Sequence, residues 1–370
     1  MRRSCMVLMS VCLILGCGGG GRLPDNPNVL RVGNGAEVQD LDPHLVSGVT
    51  EHRVLTALFE GLVDLDAHMQ PVPAVAESWT VSEDLRVYTF TLREDARWSD
   101  GDPLTAADFV YSWQRMLSPA LGAEYAYMLH CLKNGRAFNE GAITDPAAIG
   151  VKALDARTLE VTLENPTPYF LKMQIHFAWF PVKQQVIEAF GAKDERGTRW
   201  TRDENFVGNG PFRLVEWRPN EVIRTERNEH YWDAANVQLD GVYFYPIDNE
   251  QTEERKFRVG DLDITSTVPL HKVKPYREEH PELLHIDPYM STYFYRMNVT
   301  RPPFTDKRVR QAFSHGHQPG GVGGKRTESR RTAGLLPHAA GQRRVHVHYS
   351  GALRSGAGQS SAVGSGVSRR

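Results

Sequence analysis

At 370 residues, 41 % of them hydrophobic, the chain is longer than an average domain and can bury two cores. Its formal charge of −2 averages two unlike parts: residues 315–370 carry nine Lys/Arg and one acid, which leaves 34 basic and 44 acidic residues in 1–314, a net of −10. So acidic a body argues against nucleic acid as a partner.

The N-terminus reads as a targeting segment. Arg2 and Arg3 precede an apolar run from Cys5 to Leu15 that only Ser10 interrupts. A membrane span needs about 20 apolar residues, and this run is about half that. Leu13-Ile14-Leu15-Gly16-Cys17 resembles a bacterial lipobox, in which the cysteine becomes the lipidated first residue. Residues 1–17 are then a signal peptide, and 18–27, with Gly18–Gly21, Pro24 and Pro27, a flexible tether. Of four cysteines, Cys5 and Cys12 leave with the signal and Cys17 carries lipid. Cys131 is left alone and reads as a small buried hydrophobe.

Val29 to Gly33 reads as a first strand, and Asp40-Leu41-Asp42-Pro43-His44 as a loop. Thr50 to Leu62 follows at helical spacing, with Leu55, Leu58, Phe59 and Leu62 on one side. Arg86 to Arg93 alternates, with Tyr88, Phe90 and Leu92 on one face, which predicts a strand. Ser99-Asp100-Gly101-Asp102-Pro103 breaks the chain. Thr105 with Asp108 then predicts a capped helix start, with Phe109, Trp113 and Leu117 on one face. Further strands are expected at Thr158–Leu163, Val242–Tyr245, Leu262–Ile264 and Thr292–Met297. Glu250 to Arg258 predicts a charged helix closed by Gly260. Asp306 should cap a last helix through Phe313, with Val309, Ala312 and Phe313 on one face.

No catalytic signature survives inspection. Gly323-Gly324-Lys325-Arg326 lacks both the first glycine and the Ser/Thr of a phosphate loop. The His315/His317 and His346/His348 pairs read as accidental, and HExxH, GxSxG and paired CxxC motifs are absent from the sequence. The chain therefore reads as a non-enzyme without cofactor or metal.

The wording of several stretches is more specific than their periodicity. AESW at 76–79, a YTFTLR strand, a WSDG turn and LTAADFVYSW through Trp113 closely resemble the signature region of periplasmic oligopeptide-binding proteins. These are family 5 extracellular solute-binding proteins that serve ABC transporters. EVQDLDPH, LFEGLVDLD, the NGPF at Asn209–Phe212 with Trp217, and the RN and YW pairs at Arg227-Asn228 and Tyr231-Trp232 resemble the same family, over roughly residues 28–314.

The resemblance implies an α/β fold, periplasmic-binding-protein-like (class II or cluster C), with two large lobes closing on a ligand and a small lobe inserted in the first. Residues 28–62 plus 183–285 would build lobe I, 63–182 the inserted lobe II, and 286–314 the start of lobe III, most of which is missing. Ligand contacts are implied at Val46, Ser47, Gly48 and Val49, at Tyr125, and at Ser266 and Thr267; Tyr125 and Tyr127 read equally as core aromatics. Some family members place an acidic residue where this chain has Ser47. The implied partners are an oligopeptide and an ABC permease complex. The implied state is a monomer, periplasmic or at the cell surface, held to the membrane by its lipid alone. A relative that binds dipeptides, nickel or other solutes, and a truncated non-binding fragment, stay open as alternatives.

The resemblance stops near Phe313–Ser314. Residues 315–370 hold 12 of the 32 glycines and no Trp, Phe, Ile, Met, Asp or Asn, too little apolar matter to offset ordering at about 1–2 kcal/mol per residue. A disordered tail is expected. It is either a basic low-complexity segment or out-of-frame translation, and the break inside a helix pattern favours the frameshift.

Overall fold

The computed structural model describes residues 26–289, 296–316 and 342–344. Cys17 and its lipobox, most of the expected Thr292–Met297 strand, and nearly all of the tail lie outside the described residues.

Two four-stranded sheets organise the described chain. The first has the order β1 (Val29–Gly33), β10 (Gly241–Tyr245), β9 (Val222–Arg227), β8 (Phe212–Arg218). In it β1 and β10 run parallel with Val29 opposite Gly241, and the other neighbours are antiparallel. The second is wholly antiparallel, in the order β4 (Ala76–Val81), β5 (Val87–Leu92), β7 (Thr158–Thr162), β6 (Val151–Ala153). A short ribbon of β2 (Val63–Leu65) and β3 (Pro71–Pro73) leads from one to the other. The pair of Asp287–Tyr289 and Gln342–Arg344 is antiparallel and separate from both sheets.

The period-two pattern of β5 does what it predicts: Tyr88, Phe90 and Leu92 are buried and Val87, Thr89 and Thr91 are only half-buried. The helix α2 (Ala106–Met116) starts where Thr105 and Asp108 place it. The Asp108 carboxylate accepts the Thr105 backbone N–H at 2.8 Å and the Thr105 hydroxyl at 2.9 Å. Phe109, Trp113 and Leu117 all lie fully buried against the second sheet's side of the core. Trp113 crosses to the returning chain, donating from Nε1 to the Trp179 carbonyl at 3.1 Å and packing edge-on to that ring.

One continuous apolar core runs from Val32 and Phe244 of the first sheet through Leu55, Leu58 and Phe59 to Phe90, Trp98 and Trp113 of the second. The helix α1 spans Val49–Leu58, shorter than the periodicity predicts, and Phe59 is already extended. Phe59 and Leu62 stay buried all the same. The short helices α3 (Gly135–Asn139), α4 (Phe170–Met173) and α5 (Gln184–Phe190) precede α6 (Glu250–Arg258), and α7 (Leu270–Glu279) follows it. After α6, Gly260 takes a φ of +79° while its N–H returns to the Phe257 carbonyl.

Leu262–Ile264 is not a strand. It makes a single parallel bridge, Ile264 with Val32: the Asp263 and Ile264 N–H groups both donate to the Arg31 carbonyl, while the Arg31 N–H goes to the Asp263 carboxylate and not to a backbone carbonyl. The last helix, α8 (Lys307–Gly316), forms with the Asp306 carboxylate accepting the Arg308 N–H at 2.8 Å. Among the described residues its apolar face finds little cover: no residue of it is buried, and Phe313 is 58 % exposed. No described helix is long and apolar enough to cross a membrane.

Candidate functional site

The loop before α1 is built from its charged residues outward. Asp42 is buried and takes a forked grip from Arg115 of α2, at 3.0 Å to Oδ1 and 2.6 Å to Oδ2. Arg115 also donates to His44 Nδ1 at 3.0 Å and to the Lys193 carbonyl at 2.7 Å. With Nδ1 accepting, His44 carries its proton on Nε2 and donates to the Phe180 carbonyl at 3.1 Å. Burial, and then the Arg115 charge, push the imidazole down to about 4, so it stays neutral. Burial alone would raise the Asp42 carboxyl, but Arg115 holds it below the usual range. The Asp-Pro-His wording is thus a clasp that ties this loop to α2 and to the returning chain.

Past the clasp the chain surfaces. Ser47 is exposed, Val49 is 53 % exposed, and Gly48 lies between them at the mouth of α1. Val46 is different: its side chain is in the core, so only its backbone faces the loop. Tyr125 is brought to this loop from the second sheet's side, donating its hydroxyl to the Ser47 carbonyl at 3.3 Å. It stands edge-on to His176 and Phe177, whose centroids are 4.7 and 5.6 Å away. Tyr127 beside it is 60 % exposed, so the pair does not simply fill core. Burial pushes His176 down to about 4, with His52 adding to the shift.

Ser266 and Thr267 lie farther along the same ledge. Asn34 donates to the Thr50 carbonyl at 3.2 Å, which ties the end of β1 to the loop of residues 47–50. Next to it, a Cβ on Gly35 would stand 2.9 Å from Ser266 Oγ. Two buried carboxylates hold the ledge from beneath. Glu51 accepts from the Gln39 N–H and the Thr50 hydroxyl, both at 2.8 Å. Glu253 of α6 accepts from the N–H of Ser266 at 3.0 Å and of Thr267 at 3.4 Å. Sequence reasoning missed both carboxylates, because each reads as one more charge in a helical turn. The one available signal was Gly48 three residues before Glu51 at a helix start.

The ledge offers the small hydroxyls of Ser47, Ser266 and Thr267 and the ring of Tyr125 as one aromatic wall. Among the described residues no cluster of His, Cys, Asp and Glu is arranged to hold a metal ion.

Residues 70–317 match the model of bacterial extracellular solute-binding proteins, family 5 Middle. The periplasmic oligopeptide-binding protein OppA of Escherichia coli K12 is 44 % identical over 290 residues, which cover 76 % of this chain and 51 % of that protein. The solved structure of the Escherichia coli murein tripeptide binding protein MppA superposes with a TM-score of 0.74 at 36 % identity, covering 79 % of this chain and 56 % of that one. The structure of Haemophilus influenzae OppA in complex with RPPGFSPFR superposes with a TM-score of 0.75 at 34 % identity, covering 80 % and 57 %. The chain thus spans about half the length of the curated relatives it matches. Its α/β fold is that of the matched part of these periplasmic binding proteins. The chain belongs to the bacterial extracellular solute-binding proteins of family 5.

Proposed function

We propose that this chain is part of an extracytoplasmic receptor that captures oligopeptides and presents them to an ABC transporter, and that it is not an enzyme. The observation that carries this reading is the convergence of Ser47–Val49, Tyr125 and Ser266–Thr267 on one ledge of a family 5 chain. The structure of a relative at 34 % identity is a complex with RPPGFSPFR, which supports a peptide as the ligand. In this chain the backbone of residues 46–49 and the carbonyl groups of 266–267, whose N–H groups Glu253 already holds, pair with the peptide's own main chain, as in strand addition. Tyr125 closes one end. Such bonds ignore side-chain identity, so sequence preference is broad.

The test is a titration with a mixture of tri- to pentapeptides, followed through the chain's amide resonances. Shifts should gather on Ser47–Val49 and Ser266–Thr267. Their absence at saturating peptide, or their appearance elsewhere, would overturn the reading.

In this reading residues 28–62 and 183–285 form lobe I, 63–182 the inserted lobe, and 286–314 the start of lobe III. The protein is a monomer tethered through lipidated Cys17, which the run Leu13–Cys17 supports. Cys17→Ser should abolish processing at that point. Intact-mass analysis showing cleavage elsewhere and no lipid would overturn the anchor.

A further inference from the structure

Two glycines on the ledge are not there for backbone freedom. Gly48 has a φ of −93°, which any residue adopts, and Gly33 is an ordinary strand residue whose N–H donates to the Ile264 carbonyl at 2.8 Å. What forbids a side chain at each is a carboxylate. A Cβ on Gly48 would overlap Glu51 Oε2 and sit 2.9 Å from its Cδ. A Cβ on Gly33 would overlap Glu253 Oε1 and lie 2.7 and 2.9 Å from its Cδ and Cγ. In both cases the three nearest neighbours all belong to that one glutamate. Glu51 and Glu253 are 3 % and 1 % exposed, so each charge is held by the backbone and hydroxyl donors it gathers.

We propose that Glu51 and Glu253 are positioning residues for ligand capture: each fills the space of a missing side chain at Gly48 or Gly33 and uses that place to lock the ledge backbone. Glu253 aligns the amides of Ser266 and Thr267 from α6, and Glu51 links Gln39 to Thr50 behind the Ser47–Val49 loop. The two ends of the ledge are thus set by two glycine–glutamate pairs of the same design. This inference rests on the reading of the ledge as the peptide-binding face, yet its first test needs no ligand.

Hydrogen exchange of the intact chain is measured for Glu253→Ala, Gly33→Ala and the double variant. Glu253→Ala should speed exchange at Ser266 and Thr267 by about tenfold or more, the scale of one charge-assisted hydrogen bond, and more at Ser266 than at Thr267. The Phe90 amide in β5 should not change. Gly33→Ala should produce the same local opening, because the new methyl evicts the carboxylate. The double variant should be no worse than Glu253→Ala alone, since truncation vacates the space that the methyl needs. Additive costs, or unchanged exchange at Ser266, would overturn the proposal.

Should Glu253→Ala fail to fold, Glu253→Gln decides: its single remaining acceptor should protect one of the two amides and release the other. Protection of both would count against the proposal. The same logic applies to Gly48→Ala and Glu51→Ala, read at the Gln39 amide. Peptide titration of Glu253→Gln should lose the shifts at Ser266–Thr267 and keep those at Ser47. Loss of peptide shifts in the parent chain would defeat the functional reading alone and leave the exchange result standing.

Discussion

Arg115 shows how much one buried side chain can be asked to hold. It is fully buried, forks onto Asp42, touches His44 and reaches the Lys193 carbonyl, so α2 and the loop before α1 share it. Arg115→Ala would leave the Asp42 carboxylate buried without a counter-charge, at a cost of about 3–5 kcal/mol by denaturant unfolding. His44 makes the same clasp sensitive to acid. Its pKa is about 4 when folded against 6.5 for a free imidazole, a depressed value. As pH falls below 6.5 the unfolded chain takes a proton that the folded chain refuses until about 4, so stability drops across that window and levels off beneath it. The shift corresponds to on the order of 3 kcal/mol. Asp42, also depressed, adds its loss only below its ordinary 3.8. Urea midpoints at pH 7 and pH 4.5 should therefore differ clearly, and less so in His44→Asn. A residual slope is expected in that variant, because His176 titrates in the same window.

At the scale of elements, α2 and α8 are spelled alike and end differently. Both have an acidic residue at the N-terminal cap or first turn and apolar residues at helical spacing. The apolar face of α2 meets a sheet and Trp179 of the returning chain, and Phe109 and Trp113 are fully buried. Trp113→Ala should cost about 3–5 kcal/mol, since it empties a large volume and orphans the Trp179 carbonyl. Among the described residues, the ring that packs on the matching face of α8 is Phe304, edge-on to Phe313. Phe313→Ser should change stability by no more than about 0.5 kcal/mol in the same assay. A loss near that of Trp113→Ala would mean that Phe313 is covered in solution. The cap of α2 has its own smaller signature: Asp108→Ala should lower stability by about 1 kcal/mol through the released Thr105 N–H and hydroxyl.

For the whole molecule, the governing fact is that the chain spans about half the length of its curated relatives. Wherever a binding ledge is open to solvent, water competes for every backbone group of a bound peptide. Closure of a facing lobe would exclude that water and add its own contacts. Calorimetric titration of the purified chain with tri- to pentapeptides should therefore give binding weaker than about 10 μM. Micromolar or tighter binding would show that the described ledge is sufficient by itself.

Where a local rule applies, the sequence alone determined the outcome. The alternation of β5 needed only period two and a buried side, the start of α2 needed only Thr105 and Asp108, and the end of α6 needed only a glycine able to take positive φ. The shared wording of the signature stretch placed the chain in its family. Val29–Gly33 was legible as a strand, but not that it would lie parallel to Gly241–Tyr245, since no local signal names a distant partner. Leu262–Ile264 was read as a strand and makes one bridge, because the Asp263 carboxylate takes the Arg31 N–H that a ladder would need, a contact that periodicity does not encode. Of the candidate site residues, tertiary structure brought Tyr125 to Ser47 and set Ser266 beside Gly35. The roles of Arg115, Glu51 and Glu253 were invisible in sequence for one physical reason. A charged side chain in a helix reads as solvated until the fold shows that it is buried and which backbone donors and charges compensate it.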